Sequence, residues 1–145
     1  MTLNLIKLCV GATSIEDLAE WQLGRLAEAR KAGRKPELWH RTRMFPKRRA
    51  EVLDGGSLFW VIKGAIQVRQ SVLDLRPFEG EDGITRCDIV LASQLVAVRP
   101  AIRRPFQGWR YLPVADSPVD LRAGDAKIAG MPQRMRAELL ALGLL

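Results

Sequence analysis

Hydrophobic and polar positions along this chain switch between a period of two and a period near 3.6, and the period of two covers more of it. Leu3, Leu5 and, after Lys7, residues 8–10 make an apolar run that stops at Gly11, which predicts a first strand. From Ile15 the period lengthens. Ile15, Leu18, Gln22, Leu26 and Ala29 trace one side of a helix, Ser14 with Asp17 three positions on supplies a capping box, and Gly33 with Pro36 supplies a stop near Lys31. A second, short helix is expected to carry Pro46 at its first position and to end at Asp54-Gly55-Gly56.

Over residues 58–75 the alternation is that of a strand. Trp60, Ile62, Ile66, Val68 and Val72 share one parity, while Lys63, Gln67, Arg69 and Ser71 share the other. Gly64 interrupts the run, so it is either one bent strand or two short ones, and a slip there exchanges the faces beyond it. Residues 79–83 read as a hairpin turn and 84–91 as the returning strand. Residues 96–99 and 108–112 supply two more short strands, 115–130 a loop, and 132–142 a terminal helix spaced by Met135, Leu139 and Leu142. The order predicts one α+β domain over residues 1–145, a small, mostly antiparallel β-barrel or rolled sheet with flanking helices.

A chain of 145 residues typically buries roughly 70% of its unfolded surface. At 48% hydrophobic and 27% charged it has the composition of a globular domain, which excludes disorder in spite of its charge. Asn4 and Lys7 break the N-terminal apolar run, and no basic leader or cleavage site frames it as a signal peptide. No run approaches the roughly 20 apolar residues of a membrane span. A cytoplasmic protein without membrane contact is expected, and Cys9 and Cys87 then read as buried free thiols.

The net charge of +7 is local. Residues 41–49 and 99–110 hold nine of the 23 basic residues and no acid, and outside them 14 bases face 16 acids. Charge concentrated in this way concerns partners and not the fold. The expected helix at Pro46 would set Lys47, Arg48 and Arg49 in its first turn, against the dipole, which makes sense if an anion binds there. The segment Arg103-Arg104-Pro105-Phe106-Gln107-Gly108-Trp109-Arg110-Tyr111 joins cations for phosphates to flat side chains for bases. Lys63 and Arg69, on the polar side of their strand, either extend that surface or are solvated.

Catalytic chemistry finds no local machinery. There is no Gly-x-Ser-x-Gly elbow, no phosphate-cradling glycine loop and no GxGxxG, so neither a nucleotide nor a dinucleotide cofactor is called for. His40 has no neighbouring nucleophile, and two isolated cysteines with one histidine do not make a metal site.

The strings Pro46-Lys-Arg-Arg, Asp54-Gly-Gly-Ser-Leu-Phe-Trp-Val-Ile-Lys-Gly64, Ile66-Gln-Val-Arg-Gln70 and Arg104-Pro-Phe-Gln-Gly-Trp-Arg-Tyr-Leu112 resemble the hallmarks of a bacterial family known as a domain of unknown function, number 1489. That resemblance spans nearly the whole chain and carries no activity with it. The order of elements is also similar to the EVE and ASCH branches of the PUA-like superfamily, small β-barrels associated with RNA or modified bases. The Gly-Val-Arg-Asn string of EVE domains is missing here, and Lys63-Gly-Ala-Ile-Gln-Val-Arg69 matches the ASCH element only loosely, so no pocket residue is transferred.

The expectation is an RNA-binding or other nucleic-acid-binding protein that uses Arg41, Arg43, Lys47, Arg48, Arg49, Lys63, Arg69, Arg103, Arg104, Trp109 and Arg110, with no cofactor and no metal. Two alternatives stay open: an interaction module for an acidic protein partner or a second copy, and a small enzyme acting on a nucleotide or modified base. Sequence does not show whether the two basic stretches meet in space.

Overall fold

The computed structural model describes residues 1–121. Among the described residues, seven strands and two helices follow the order β1 (Leu3–Leu8), α1 (Ile15–Lys31), β2 (Leu38–Thr42), α2 (Arg49–Val52), β3 (Ser57–Ile62), β4 (Ala65–Glu79), β5 (Thr85–Leu91), β6 (Val96–Ile102) and β7 (Trp109–Pro113), with a 3-10 turn at Val114–Asp116. Of the expected loop over 115–130 only the first part is described. That part carries two hydrogen bonds to β6, Arg99 donating its N–H to Val119 O and Leu121 donating to Ala97 O. The expected helix over 132–142 lies outside the described residues.

The sheet is organised by β4. Its first half pairs with β3 on one edge and β6 on the other, and its second half pairs with β5, which in turn pairs with β2. Beyond β3 lie β1, in parallel, and then β7. All the other pairings among the described residues are antiparallel. The strands curl around one large cluster that draws Leu38 from β2, Leu3 and Leu5 from β1, and Leu18 and Leu26 from α1. The described strands do not close into a barrel: the order runs from β2 at one edge to β7 at the other, so the sheet is rolled and open.

α1 forms as its sequence dictates. Ser14 accepts the Asp17 N–H at 3.0 Å as N-cap, and Leu18, Gln22, Leu26 and Ala29 are the buried stripe. α2 departs from expectation. It is one turn long, Arg48 and not Pro46 precedes it, and of the three expected first-turn cations only Arg49 lies in the helix. A single turn has little macrodipole, so the anion site argued from the helix start is withdrawn.

Of the two readings at Gly64 the second holds, since the run divides there into two strands, β3 and β4. Lys63 (φ 48°) and Gly64 (φ 80°) are the two central residues of a tight turn that reverses the chain from β3 into β4. The single-parity reading fails at one residue. Trp60, Ile62, Val68 and Val72 face the large cluster, but Ile66 packs on the opposite side with Phe59, Val61 and Val98. The cause is a bulge at Gln67: Val61 pairs with Ile66 while Trp60 pairs with Val68. Gln67 is buried, its amide donating to Ile62 O at 2.8 Å. At Gly56 a Cβ would sit 2.4 Å from both Leu3 O and Val52 O, so only glycine lets β3 start that close to β1 and α2.

A polar cluster sits inside the large core. Gln70, fully buried, exchanges amide hydrogen bonds with Gln22 of α1 at 2.9 Å each way, accepts Trp60 Nε1–H at 2.9 Å and donates to Ala92 O. Every polar group brought inside there has a partner, which offsets the cost of its burial.

Candidate nucleic-acid interface

The two basic stretches meet. β7 runs antiparallel along β1, with Lys7 opposite Trp109 and Ile6 opposite Arg110. The chain leaving β2 crosses the end of β7: Trp109 Nε1 donates to Met44 O at 2.7 Å, and the Arg48 N–H donates to the Tyr111 hydroxyl at 3.0 Å. Trp109 and Tyr111 stand edge to face, 4.8 Å between centroids. Between the stretches lies a cleft of about 430 Å³ whose walls include Lys7, Arg41, Arg43, Gln107, Trp109 and Arg110.

The expected site residues divide into two groups. Arg41 is clasped by Asp88 at 2.7 and 3.0 Å, Arg48 pairs with Glu51, Arg49 reaches Asp74 at 2.8 Å and Leu75 O at 3.1 Å, and Arg69 holds Asp120 through two 2.7 Å bonds. Three of these pairs join distant parts of the chain, the Arg48 pair stays within α2 and its cap, and all four offer little unbalanced charge. Arg43, Lys47, Lys63, Arg103, Arg104 and Arg110 pair with no carboxylate among the described residues. Arg110 lines the cleft and also the wider hollow that holds Arg103, Arg104 and Phe106, so these cations border one continuous surface. Lys63 stands apart from it, on the β3–β4 turn near Asp17, whose carboxyl is held below its usual range by hydrogen bonds from Thr13 and, to a smaller extent, by the Lys63 charge. Trp109 packs partly against the core while forming a wall of the cleft.

Sequence reasoning missed a second feature beside the cleft. The Arg25 guanidinium lies over Trp21 at 4.6 Å and Trp39 at 5.2 Å, and Arg41 lies over Trp39 at 5.0 Å and Phe78 at 3.6 Å. Cation and ring thus alternate along an exposed ladder. The signal was present in the spacing, since Trp21 and Arg25 are one helical turn apart and Trp39 and Arg41 share a face of β2.

The two thiols and the one imidazole favour their neutral forms. Burial pushes the Cys9 thiol up to about 11 and the Cys87 thiol up to about 12, so neither is a thiolate at neutral pH. Burial, followed by the charges of Lys7 and Arg25, brings His40 down to about 4. Unfolded, this imidazole titrates near ~6.5. Between those values the unfolded chain takes up a proton that the folded chain refuses, so stability is expected to fall as pH drops from about 6.5 towards 4. His40→Gln should flatten that decline in denaturant titrations between roughly pH 6.5 and 5, above the range in which exposed carboxylates protonate. Equal declines in both chains would refute the assignment. No group of three His, Cys, Asp or Glu that could hold a metal occurs among the described residues.

The profile of the family described as "Protein of unknown function (DUF1489)" matches residues 5–145. The chain belongs to that family. Nothing among the curated proteins and nothing among the solved structures matches it. Two of the strings that carry the resemblance now have positions: Asp54-Gly-Gly-Ser makes the close approach at Gly56, and Arg104-Pro-Phe-Gln-Gly-Trp-Arg-Tyr borders the cleft. No described helix is long and apolar enough to cross a membrane.

Proposed function

We propose that this family member binds single-stranded nucleic acid, with RNA favoured, through the cleft between residues 41–49 and the β7 edge. The observation that supports it most is the convergence of Lys7, Arg43 and Arg110 on a cleft walled by Trp109, two acid-free stretches being joined there by the Trp109 to Met44 bond. Cations neutralise phosphates, and an aromatic wall gives an unpaired strand a stacking surface. The preference for RNA rests on the PUA-like likeness in the order of elements, a capped helix leading into a mostly antiparallel sheet that is here open and not a barrel. A cytoplasmic location belongs to the same proposal.

With about four phosphates neutralised at roughly −0.7 per phosphate, log K for a short single-stranded RNA should fall by about three per decade of salt. Fluorescence anisotropy from low to moderate salt measures this. A flat response, or no binding at low salt, would remove nucleic acid as the partner.

A further inference from the structure

A second cavity opens beside the cleft, between α1 and the sheet. Its volume is about 160 Å³, and its walls include Cys9, Asp17, Leu18, Trp21, His40 and Trp60. An enclosed apolar cavity of roughly 150 Å³ accepts a single benzene-sized ring. The walls suit such a ring. Trp60 is fixed by its bond to Gln70, His40 stands edge-on to it at 5.3 Å and 88°, and Trp21 is backed by Arg25.

Charge sorts the ligand further. The imidazole and thiol in these walls are uncharged at neutral pH, which suits a neutral ring and not a phosphate. Asp17 stands at the exposed rim of the cavity as a carboxylate. Its Oδ2 accepts from the Thr13 hydroxyl at 2.5 Å and the Thr13 N–H at 3.1 Å, and its Oδ1 has no partner among the described residues. A free carboxylate oxygen accepts from an exocyclic amine and repels a carbonyl in the same place.

Location ties the cavity to the cleft. Lys7 of the cleft precedes Cys9 of the cavity by two residues, about 7 Å along an extended chain, and stands near enough to His40 of the cavity to add its charge to the effect of burial there. That is the scale of one nucleotide from phosphate to base.

We propose that the cavity between α1 and the sheet receives one unstacked, amino-bearing pyrimidine base, cytosine in the unmodified case, from the strand whose phosphates lie in the cleft. The inference rests on the nucleic-acid reading, and its test separates the two. Free cytidine, which has no phosphate, should shift the indole N–H resonances of Trp21 and Trp60 in a salt-independent titration, and uridine should shift them clearly less. Trp21→Ala, at a position more than half exposed, should abolish the cytidine response and weaken binding of a short oligocytidylate roughly tenfold with its salt slope retained. Asp17→Asn, which keeps the shape of the side chain, should bring cytidine and uridine to similar affinities. Indoles that do not respond to cytidine, or respond equally to uridine in the wild-type chain, would overturn the proposal, as would full oligocytidylate affinity in folded Trp21→Ala. Salt-dependent oligonucleotide binding alongside unmoved indoles would sink the base pocket and leave the cleft standing. A cytidine response without salt-dependent binding would do the reverse.

Discussion

Replacing Arg43 and Arg110 together with glutamate is expected to weaken binding of single-stranded RNA at low salt by roughly a hundredfold or more, with thermal stability unchanged. Both side chains are exposed, and neither meets a carboxylate among the described residues; Arg110 donates only to the Gln107 and Trp109 carbonyls at 2.7 and 3.0 Å, at an exposed site where water replaces it, so folding does not depend on an ion pair of theirs. Each is placed to contact a phosphate, and a hydrogen bond to a charged group contributes about 1.5–3 kcal/mol, so two lost contacts amount to a factor of a hundred or more. The paired arginines behave differently. Charge reversal at Arg49 would set a carboxylate against Asp74 and leave Leu75 O without its donor, so its first effect is on stability. Anisotropy and melting curves on the Arg43/Arg110 variant together separate a binding defect from a folding defect, and a large fall in melting temperature would return these residues to the scaffold.

The second large effect is in the core. Gln70→Leu should cost about 4 kcal/mol in denaturant unfolding, because the Trp60 indole N–H and the Gln22 amide would be left buried without partners, at roughly 1–3 kcal/mol each, in addition to strain from the new branch. Changing Gln22 to leucine as well removes one of the orphans, so the double variant should lose less than the sum of the single losses. Strict additivity would mean that the two amides do not share a network. Since Gln70 also fixes the ring that forms one wall of the cavity, this interior hydrogen bond connects core packing to the proposed recognition of a base.

Local rules made α1 fully legible: its cap, its stripe including the polar Gln22, and its end are all set within a few residues of one another. β5, β7 and the 79–83 turn followed from the same kind of signal. What was missed depends on contacts across the chain. Lys63-Gly64 is not one of the residue pairs that announce a two-residue hairpin turn, and the bulge at Gln67 that turns Ile66 to the other face leaves no mark on composition. β2 was hidden because its five residues contain the start of the basic run. The candidate site shows the same division. The stretches were visible as charge, but the carboxylates that neutralise Arg41 and Arg69 lie 47 and 51 positions away, and the Trp109 to Met44 bond spans 65. Only the rolled sheet shows which cations are left to act.

The central claim is that unpaired cations of the cleft and of the adjoining hollow neutralise about four phosphates, and the salt slope counts them. For a short single-stranded RNA, log K against log salt should have a slope near −3 for the wild-type chain and about −1.5 for Arg43→Glu/Arg110→Glu, two phosphate contacts having been lost. Equal slopes in the two folded proteins, or a wild-type slope near zero, would contradict the account.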